Sequence, residues 1–189
     1  MTDVEIAVSF VALLGGLLLA NVANNMADAL RARRDLPIGF VPWAINFYIS
    51  ARVINAFVLL AVRDLAITFD MLALLGILAG LMPYIMVSRL LYPEHKERWA
   101  SVEEYYIANR KLILGIMLIG PAAFAFNQIY IDSVDPLRVK IFQALVSVVP
   151  VIATLVLLML TEKRQWHWAG WGFLIAHGIL MMVVIAIYN

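Results

Sequence analysis

The sequence predicts an all-α protein, a polytopic membrane bundle of about six transmembrane helices arranged as three hairpins. Hydrophobic residues make up 64% of its 189 residues and charged residues 14%, with a mean hydropathy of +0.91. Soluble proteins carry about 45–50% apolar and about 25% charged residues. Several apolar runs are also long enough to cross ~30 Å of hydrocarbon, which takes about 20 helical residues. Runs of this length without strict alternation exclude a membrane β-barrel.

Six segments satisfy the length requirement for a membrane-spanning helix. They are Val4–Ala27, Phe40–Val62, Met71–Tyr92, Glu104–Tyr130, Ile141–Leu160 and Trp166–Tyr188. We expect them to form a single transmembrane domain over residues 1–189. The first apolar run follows acidic rather than basic residues, so we expect it to be a retained helix and not a cleaved signal peptide.

Local residue patterns mark the ends of these helices. Pro37 and Gly39 break the chain after the first span. Ser101 followed by Glu104 is a capping-box pattern, in which both side chains accept hydrogen bonds from free backbone N–H groups, and it predicts the start of the fourth helix. Acidic residues and a proline over 132–136 mark the next turn.

Prolines and glycines inside the spans predict local features of packing. Pro83, Pro121 and Pro150 fall within the third, fourth and fifth spans. They are expected to form ordinary kinks, which membrane helices tolerate because neighbouring groups and water bond to the freed carbonyls. The alternative is that a proline marks a hinge or a cavity. Gly76 and Gly80 form a GxxxG pattern, which is typical of a close approach between two helices.

The distribution of basic residues predicts the orientation in the membrane. Lysine and arginine collect in loops on the cytoplasmic side. Ten of the fourteen lie in or beside the connections that follow odd-numbered spans: Arg31, Arg33, Arg34, Arg89, Lys96, Arg98, Arg110, Lys111, Lys163 and Arg164. Both termini are therefore expected on the opposite side, which in a bacterial inner membrane is the periplasm.

A weak repeat places polar residues on one face of several spans. The second helix of each predicted hairpin has an aromatic residue four positions before a cationic or titratable one, and residues spaced i,i+4 share a helix face. Together with a polar face on the first helix, these positions form a hypothetical ligand-binding core in the cytoplasmic half of the bundle. Its members are Asn21, Asn25, Asp28, Tyr48, Arg52, Asn55, Glu103, Tyr106, Arg110 and His177.

Arg52 is the most informative member of this set. It lies twelve residues after Phe40, or ~18 Å along a helix that rises ~1.5 Å per residue. A charge at that depth is costly in lipid and usually faces the bundle interior or water. Asp28 on the neighbouring helix is its expected counter-ion. The same faces could instead form a satisfied structural network that fixes helix packing, and Arg110, close to its helix start, could anchor at the headgroups.

Signatures of catalysis and of cofactor binding are not found in the sequence. It contains no cysteine and no HExxH, P-loop or GxSxG motif. Of its three histidines, only His177 lies well inside a span, so a bis-histidine haem is not expected. We therefore expect no catalytic residue, metal or cofactor, and leave enzymatic activity open. Nucleic-acid binding is not expected either, because membrane topology explains the basic residues.

Several short motifs are similar to those of a large group of uncharacterised bacterial six-helix integral membrane proteins. They are Val4-Glu5 before a Gly-Gly helix, Pro42-Trp43 opening the second span, and Leu91-Tyr92-Pro93 followed by Tyr105-Tyr106 and Arg110. The resemblance extends over most of the chain. It implies six helices and a bacterial inner membrane, and it implies no activity.

Two classes of function follow from these observations. The first is a non-enzymatic accessory or structural subunit of a membrane complex. The second is a small-ligand or lipid-binding protein, similar to a transporter or channel, with its polar site in the cytoplasmic half of the bundle. The lipid bilayer is the expected surrounding, and either another membrane protein or a second copy of the chain could be a partner.

Overall fold

The computed structural model describes residues 3–62, 71–126 and 136–188. Over these ranges the chain is helical between short connections and forms no strand, which confirms the all-α prediction. A short 3-10 helix, Lys96–Arg98, follows the third α-helix. The α-helices are α1 (Asp3–Ala32), α2 (Phe40–Val62), α3 (Met71–Leu90), α4 (Val102–Phe126), α5 (Leu137–Ser147), α6 (Val149–Leu160) and α7 (Arg164–Tyr188).

The described parts of the six predicted segments are helical except at Leu91, Tyr92 and Val148, and α2 begins at Phe40 as predicted. Within the described residues, three helical stretches combine the length and the apolar character needed to cross a membrane. They are Val102–Phe126, Leu137–Leu160 and Arg164–Val184. The predicted end of the fourth span and most of the turn at 132–136 lie outside the described residues.

The fifth predicted span is divided between α5 and α6. The predicted span Ile141–Leu160 lies within one apolar helical stretch, Leu137–Leu160, which is interrupted at Val148. Pro150 causes the break, since it has no N–H to donate to the carbonyl of Val146 four residues earlier. His177 of α7 faces that carbonyl, with Nε2 3.1 Å from the Val146 oxygen. The expected kink at Pro150 is thus present, and its freed acceptor is satisfied from a neighbouring helix.

One hydrophobic core connects six of the helices, and α5 lies at its edge. The most extensive contact joins α3 to α4, where the Tyr84 ring lies against Gly120 so closely that a side chain there would collide with it. In addition α2 packs on α7, α4 on α6, and α1 on both α2 and α3. Gly80 of the GxxxG pattern faces open space, so the expectation of a close helix approach there is wrong.

The capping box at the start of α4 is confirmed. The Ser101 hydroxyl accepts a hydrogen bond from the Glu104 N–H at 3.0 Å, and the Glu104 carboxylate accepts one from the Ala100 N–H at 2.8 Å. The Val102 N–H donates to the Pro37 carbonyl at 2.9 Å. This bond ties the start of α4 to the connection between α1 and α2, and it places Glu103 beside the first residue of α2.

Candidate functional site

Glu103 joins three parts of the chain through a buried carboxylate. Its side chain is 3% exposed, and both of its oxygens accept bonds from Arg164 of α7, Oε1 from Nε at 2.7 Å and Oε2 from NH2 at 2.8 Å. Oε1 also accepts the indole N–H of Trp168 at 2.6 Å, and Oε2 the backbone N–H of Phe40 at 3.1 Å. A carboxylate at the free N–H groups of a helix start is favourable. Glu103 therefore caps α2 while it fastens α4 to α7.

Gly39 is required by this arrangement. Its φ of +79° is in the left-handed region, where glycine is favoured because it has no Cβ. A Cβ at this position would also collide with the carboxylate of Glu103. The turn that ends the first connection and the buried carboxylate of α4 thus depend on each other.

Tyr106 lies one turn further along α4, in a second buried network. Its hydroxyl is 2.9 Å from Nδ1 of His167 and accepts the indole N–H of Trp171 at 3.2 Å. His167 Nε2 faces the carbonyl oxygen of Thr161 at 3.1 Å, so Nε2 carries the hydrogen. Nδ1 of the neutral ring then accepts the Tyr106 hydroxyl hydrogen. Every donor in this chain of bonds has an acceptor.

Arg110 completes the polar contacts between α4 and the turn that precedes α7. Its side chain is 9% exposed, and it donates to Glu162 at 2.7 Å and to the carbonyl of Ile107 at 2.9 Å. Arg110 is therefore held inside the protein. We call the whole set the junction network; its members are Glu103, Tyr106, Arg110, Glu162, Arg164, His167, Trp168 and Trp171.

A separate group of polar residues surrounds Arg52. Tyr48, Arg52 and Asn55 of α2 share a face, as predicted, and the nearest charged or polar neighbours of the guanidinium include the hydroxyls of Tyr48 and Tyr84. The guanidinium also lies 5.4 Å from the centroid of the Phe124 ring of α4, within the range of a cation–π contact. We call these five residues the Arg52 cluster.

The Arg52 cluster holds more unpaired polar atoms than the junction network, where Nε of Arg110 is the one buried side-chain atom of the described residues that lacks a partner. In the described part of the chain, five buried side-chain atoms lack a hydrogen-bond partner, and three of them belong to this cluster: the hydroxyls of Tyr48 and Tyr84 and Oδ1 of Asn55. Both hydroxyls are near the guanidinium, but neither meets the geometry of a hydrogen bond with it. No carboxylate of the described residues pairs with Arg52.

A narrow crevice between α2 and α7 leads to the cluster. Its volume is about 10 Å³, which is roughly the space that one water molecule needs. Tyr48, Arg52 and Asn55 line it on α2, and Gly178 lines it on α7, where a side chain would meet open space. The unpaired polar atoms of α2 thus border a space for a very small ligand.

The polar residues of α1 do not reach Arg52. Asp28 is 70% exposed and pairs with Arg31 at 2.9 Å, so the predicted ion pair between Asp28 and Arg52 is wrong. Asn25 donates to the carbonyl of Ser88 on α3 at 2.7 Å, which makes it a helix-packing contact. Asn21 is partly exposed. The face on α1 therefore exists but turns toward α3 and the surface.

The ten predicted site residues thus divide into four locations and do not form one core. Glu103, Tyr106 and Arg110 belong to the junction network, and Tyr48, Arg52 and Asn55 to the Arg52 cluster. His177 bonds to the Val146 carbonyl at the break between α5 and α6. The α1 residues lie apart from all of these, toward α3 and the surface. Among the described residues no group of three histidine, aspartate or glutamate side chains is placed to hold a metal ion.

The partners on α7 are not among the predicted site residues, although the sequence carries a pattern for them. Arg164, His167, Trp168 and Trp171 are spaced at i, i+3, i+4 and i+7, which places all four on one helix face. Tryptophans near a helix start are typical of the membrane interface. Trp171, however, is fully buried and packs edge to face on Tyr48, with ring centroids 5.8 Å apart. Tyr84 and Phe124 carry no comparable pattern.

No protein-family model matches the chain, and no significant match was found among curated proteins or solved structures. The site therefore has to be interpreted from its own geometry.

Proposed function

We propose that this chain is a six-span protein of a bacterial inner membrane that binds a small anion at Arg52. The observation that carries the proposal is a buried guanidinium that no described carboxylate pairs with, next to buried hydroxyls that have no hydrogen-bond partner among the described residues. The proposal belongs to the ligand-binding class of function. It requires no catalytic step.

The chemistry of the cluster favours an anion over a neutral ligand. Arg52 supplies five N–H donors, and Tyr48 and Tyr84 each supply a hydroxyl hydrogen. A charged arginine in the middle of a span costs about 2.5–3.5 kcal/mol on insertion scales. An anion offsets part of this cost by pairing with the guanidinium, and it accepts the hydroxyl hydrogens that have no acceptor among the described residues.

The size of the crevice restricts the ligand. With a volume of about 10 Å³, it has room for a single atom or a water-sized group. Chloride is the common anion nearest to this size. A larger anion enters only if α2 and α7 separate, because both walls of the crevice are helices.

Chloride binding tests the proposal directly. The purified protein in detergent should broaden the ³⁵Cl nuclear magnetic resonance line of the bulk ion, because bound and free chloride exchange. Arg52→Met removes the charge and keeps an unbranched apolar chain, and Gly178→Leu fills the crevice and keeps the charge. Each change should abolish most of the broadening.

Gly172→Leu is the matched control for the crevice variant. Gly172 lies on the same helix and is exposed, and a side chain at this position would also meet open space. The Gly172→Leu variant should leave the broadening of the chloride line unchanged. Circular dichroism should show the same helix content in the wild type and in all three variants. Wild-type broadening in Arg52→Met would contradict an anion site at this residue.

The six-span topology has its own support and its own test. Three helical stretches meet the criteria for spanning, and α1, α2 and α3 are 30, 23 and 20 residues long, which suits the same thickness of hydrocarbon. The basic connections and the resemblance described above favour a bacterial inner membrane with both termini in the periplasm. Alkaline phosphatase fused after Asn189 should be active and a fusion after Lys163 inactive; the reverse result would contradict this orientation.

An accessory subunit is the second candidate function, and one observation favours it. Large side chains on α5 and α6 are exposed, among them Phe142 at 66% and Leu160 at 75%. Lipid covers such a surface in a membrane, and so does a partner protein. Native mass spectrometry after gentle extraction distinguishes the two, since a partner would remain bound in a fixed ratio to the chain.

A further inference from the structure

We infer that the connection between α1 and α2 forms a binding groove for an anionic phospholipid. The inference rests on the membrane location proposed above and is independent of the anion site at Arg52. The groove is open, has a volume of about 580 Å³, and lies where the chain leaves α1 and enters α2. Its lining residues are Leu30, Arg33, Arg34, Pro37, Gly39 and Trp43, together with Ile38.

The charges of the groove suit a phosphate group. Arg31, one turn before the groove, is paired with Asp28, whereas Arg33 and Arg34 form no ion pair with any described carboxylate. Both are exposed, and so is the neighbouring Asp35, which does not line the groove. Arginine presents a planar set of donors that fits phosphate oxygens.

Glu103 does not oppose an anion at this place. Its carboxylate lies against Gly39 at the floor of the groove, but both of its oxygens are bonded to Arg164. The side chain is 3% exposed, so the charge is neutralised and covered. The net charge that a ligand meets in the groove is therefore that of the two arginines.

The apolar part of the groove suits the rest of a lipid. Leu30 and Trp43 are 40% and 38% exposed and border the groove on either side of the arginines. Tryptophan is enriched at the level of the headgroups, where its ring has an apolar body and a polar edge. A basic pocket with an apolar wall at the predicted cytoplasmic surface is the arrangement by which membrane proteins hold anionic headgroups. A soluble anion would have no use for the apolar wall.

Retention of phosphatidylglycerol tests the inference. The full chain is reconstituted in nanodiscs with equal amounts of phosphatidylglycerol and phosphatidylcholine, released into the gas phase, and examined by native mass spectrometry. The wild type should retain phosphatidylglycerol preferentially. Each basic residue near the surface should contribute about a fivefold preference, so Arg33→Gln with Arg34→Gln should reduce retention about thirtyfold.

The control removes the same charge elsewhere. Arg98→Gln with Lys163→Gln changes two exposed residues of the same predicted side, and it should leave retention within about twofold of the wild type. Equal losses in the two double variants, or equal retention of the two lipids by the wild type, would overturn the inference. Displacement of the lipid by the same concentration of soluble glycerol phosphate would also overturn it, because the apolar wall would then contribute nothing.

The two proposals can fail separately. Arg52→Met should retain phosphatidylglycerol as the wild type does, because Arg52 lies about 18 Å from the start of α2 along the helix axis. If Arg52→Met loses chloride binding while the double variant Arg33→Gln with Arg34→Gln still retains phosphatidylglycerol, the anion site stands and the lipid groove is wrong.

Discussion

The stability of this bundle should depend strongly on the carboxylate of Glu103, and Glu103→Gln tests this with little change in shape. The two oxygens have different partners besides Arg164. Oε1 accepts the Trp168 indole N–H, and Oε2 accepts the Phe40 backbone N–H. Glutamine replaces one oxygen with an NH2 group, so in either orientation one of these two N–H groups faces another donor.

The expected loss follows from those contacts. A buried donor that loses its acceptor costs about 1–3 kcal/mol. The ion pair to Arg164 adds at most about 1 kcal/mol, because the Arg164 side chain is 60% exposed and can return to water. Glu103→Gln should therefore lower the free energy of unfolding by about 1–4 kcal/mol. For a chain of this length that is a fall in Tm of roughly 2–16 °C.

The adjacent glutamate provides the matched control. Glu104 is exposed and serves the capping box, where glutamine is equally suitable. Glu104→Gln should thus change Tm by less than about 2 °C, since exposed substitutions usually stay within ~0.5 kcal/mol. Thermal unfolding in detergent, followed by circular dichroism, compares the two variants. Equal Tm values for Glu103→Gln and Glu104→Gln would refute the assignment of Glu103 as a structural centre.

Gly39→Ala perturbs the same contact from the other side. Alanine in the left-handed region costs about 1–2 kcal/mol, and its Cβ also displaces the carboxylate of Glu103. The cost of displacing the carboxylate arises only while Glu103 accepts its hydrogen bonds, and Glu103→Gln already weakens these. In a double-mutant cycle the combined loss from Gly39→Ala and Glu103→Gln should therefore be smaller than the sum of the single losses. Strict additivity would show that the two sites act independently.

Two further variants test contacts inside the bundle. Tyr106→Phe removes the hydroxyl that bonds to both His167 and Trp171, and it should lower the free energy of unfolding by about 2 kcal/mol. Tyr105 is partly exposed, so Tyr105→Phe should be nearly neutral. Equal effects of the two variants in thermal unfolding would contradict the buried network. His177→Ala should cost about 1 kcal/mol in the wild type because the Val146 carbonyl loses its donor. The cost should disappear in a Pro150→Ala background, where residue 150 supplies an N–H, and an unchanged cost there would reject the role of His177.

The helices could be predicted from sequence because hydropathy and end signals are local properties. The start of α2 and the capping box of α4 depend only on residues within a turn or two of each other. The break at Val148 could not be predicted in this way, because a proline within a long apolar run is compatible with a bent but continuous helix. A proline in the first turn of a helix is well tolerated, so the same residue that bends one helix here begins another.

Tertiary pairing could not be predicted in the same way. Periodicity shows which residues share a face, and Tyr48, Arg52 and Asn55 do so, but it does not show which helix that face meets. Asp28 is the obvious partner for Arg52 only because α1 is next in sequence. In the fold α2 packs more extensively on α7 than on α1. The partners of a buried polar residue in a helical bundle thus depend on the rotation of each helix and on the order of packing, and neither is a local property.

The two inward arginines show why the polar residues of the bundle serve different purposes. Arg110 lies near the start of α4, where Glu162 is 77% exposed, so the pair keeps contact with water while one partner is buried. Glu162 pairs with that cation, and the result is a fixed junction between helices. Arg52 lies far from either end of α2 and has an aromatic ring, two hydroxyls and an amide around it, but no carboxylate among the described residues. Among the described residues one buried arginine is paired with a carboxylate and the other is not, and this contrast is the basis of the anion site proposed at Arg52.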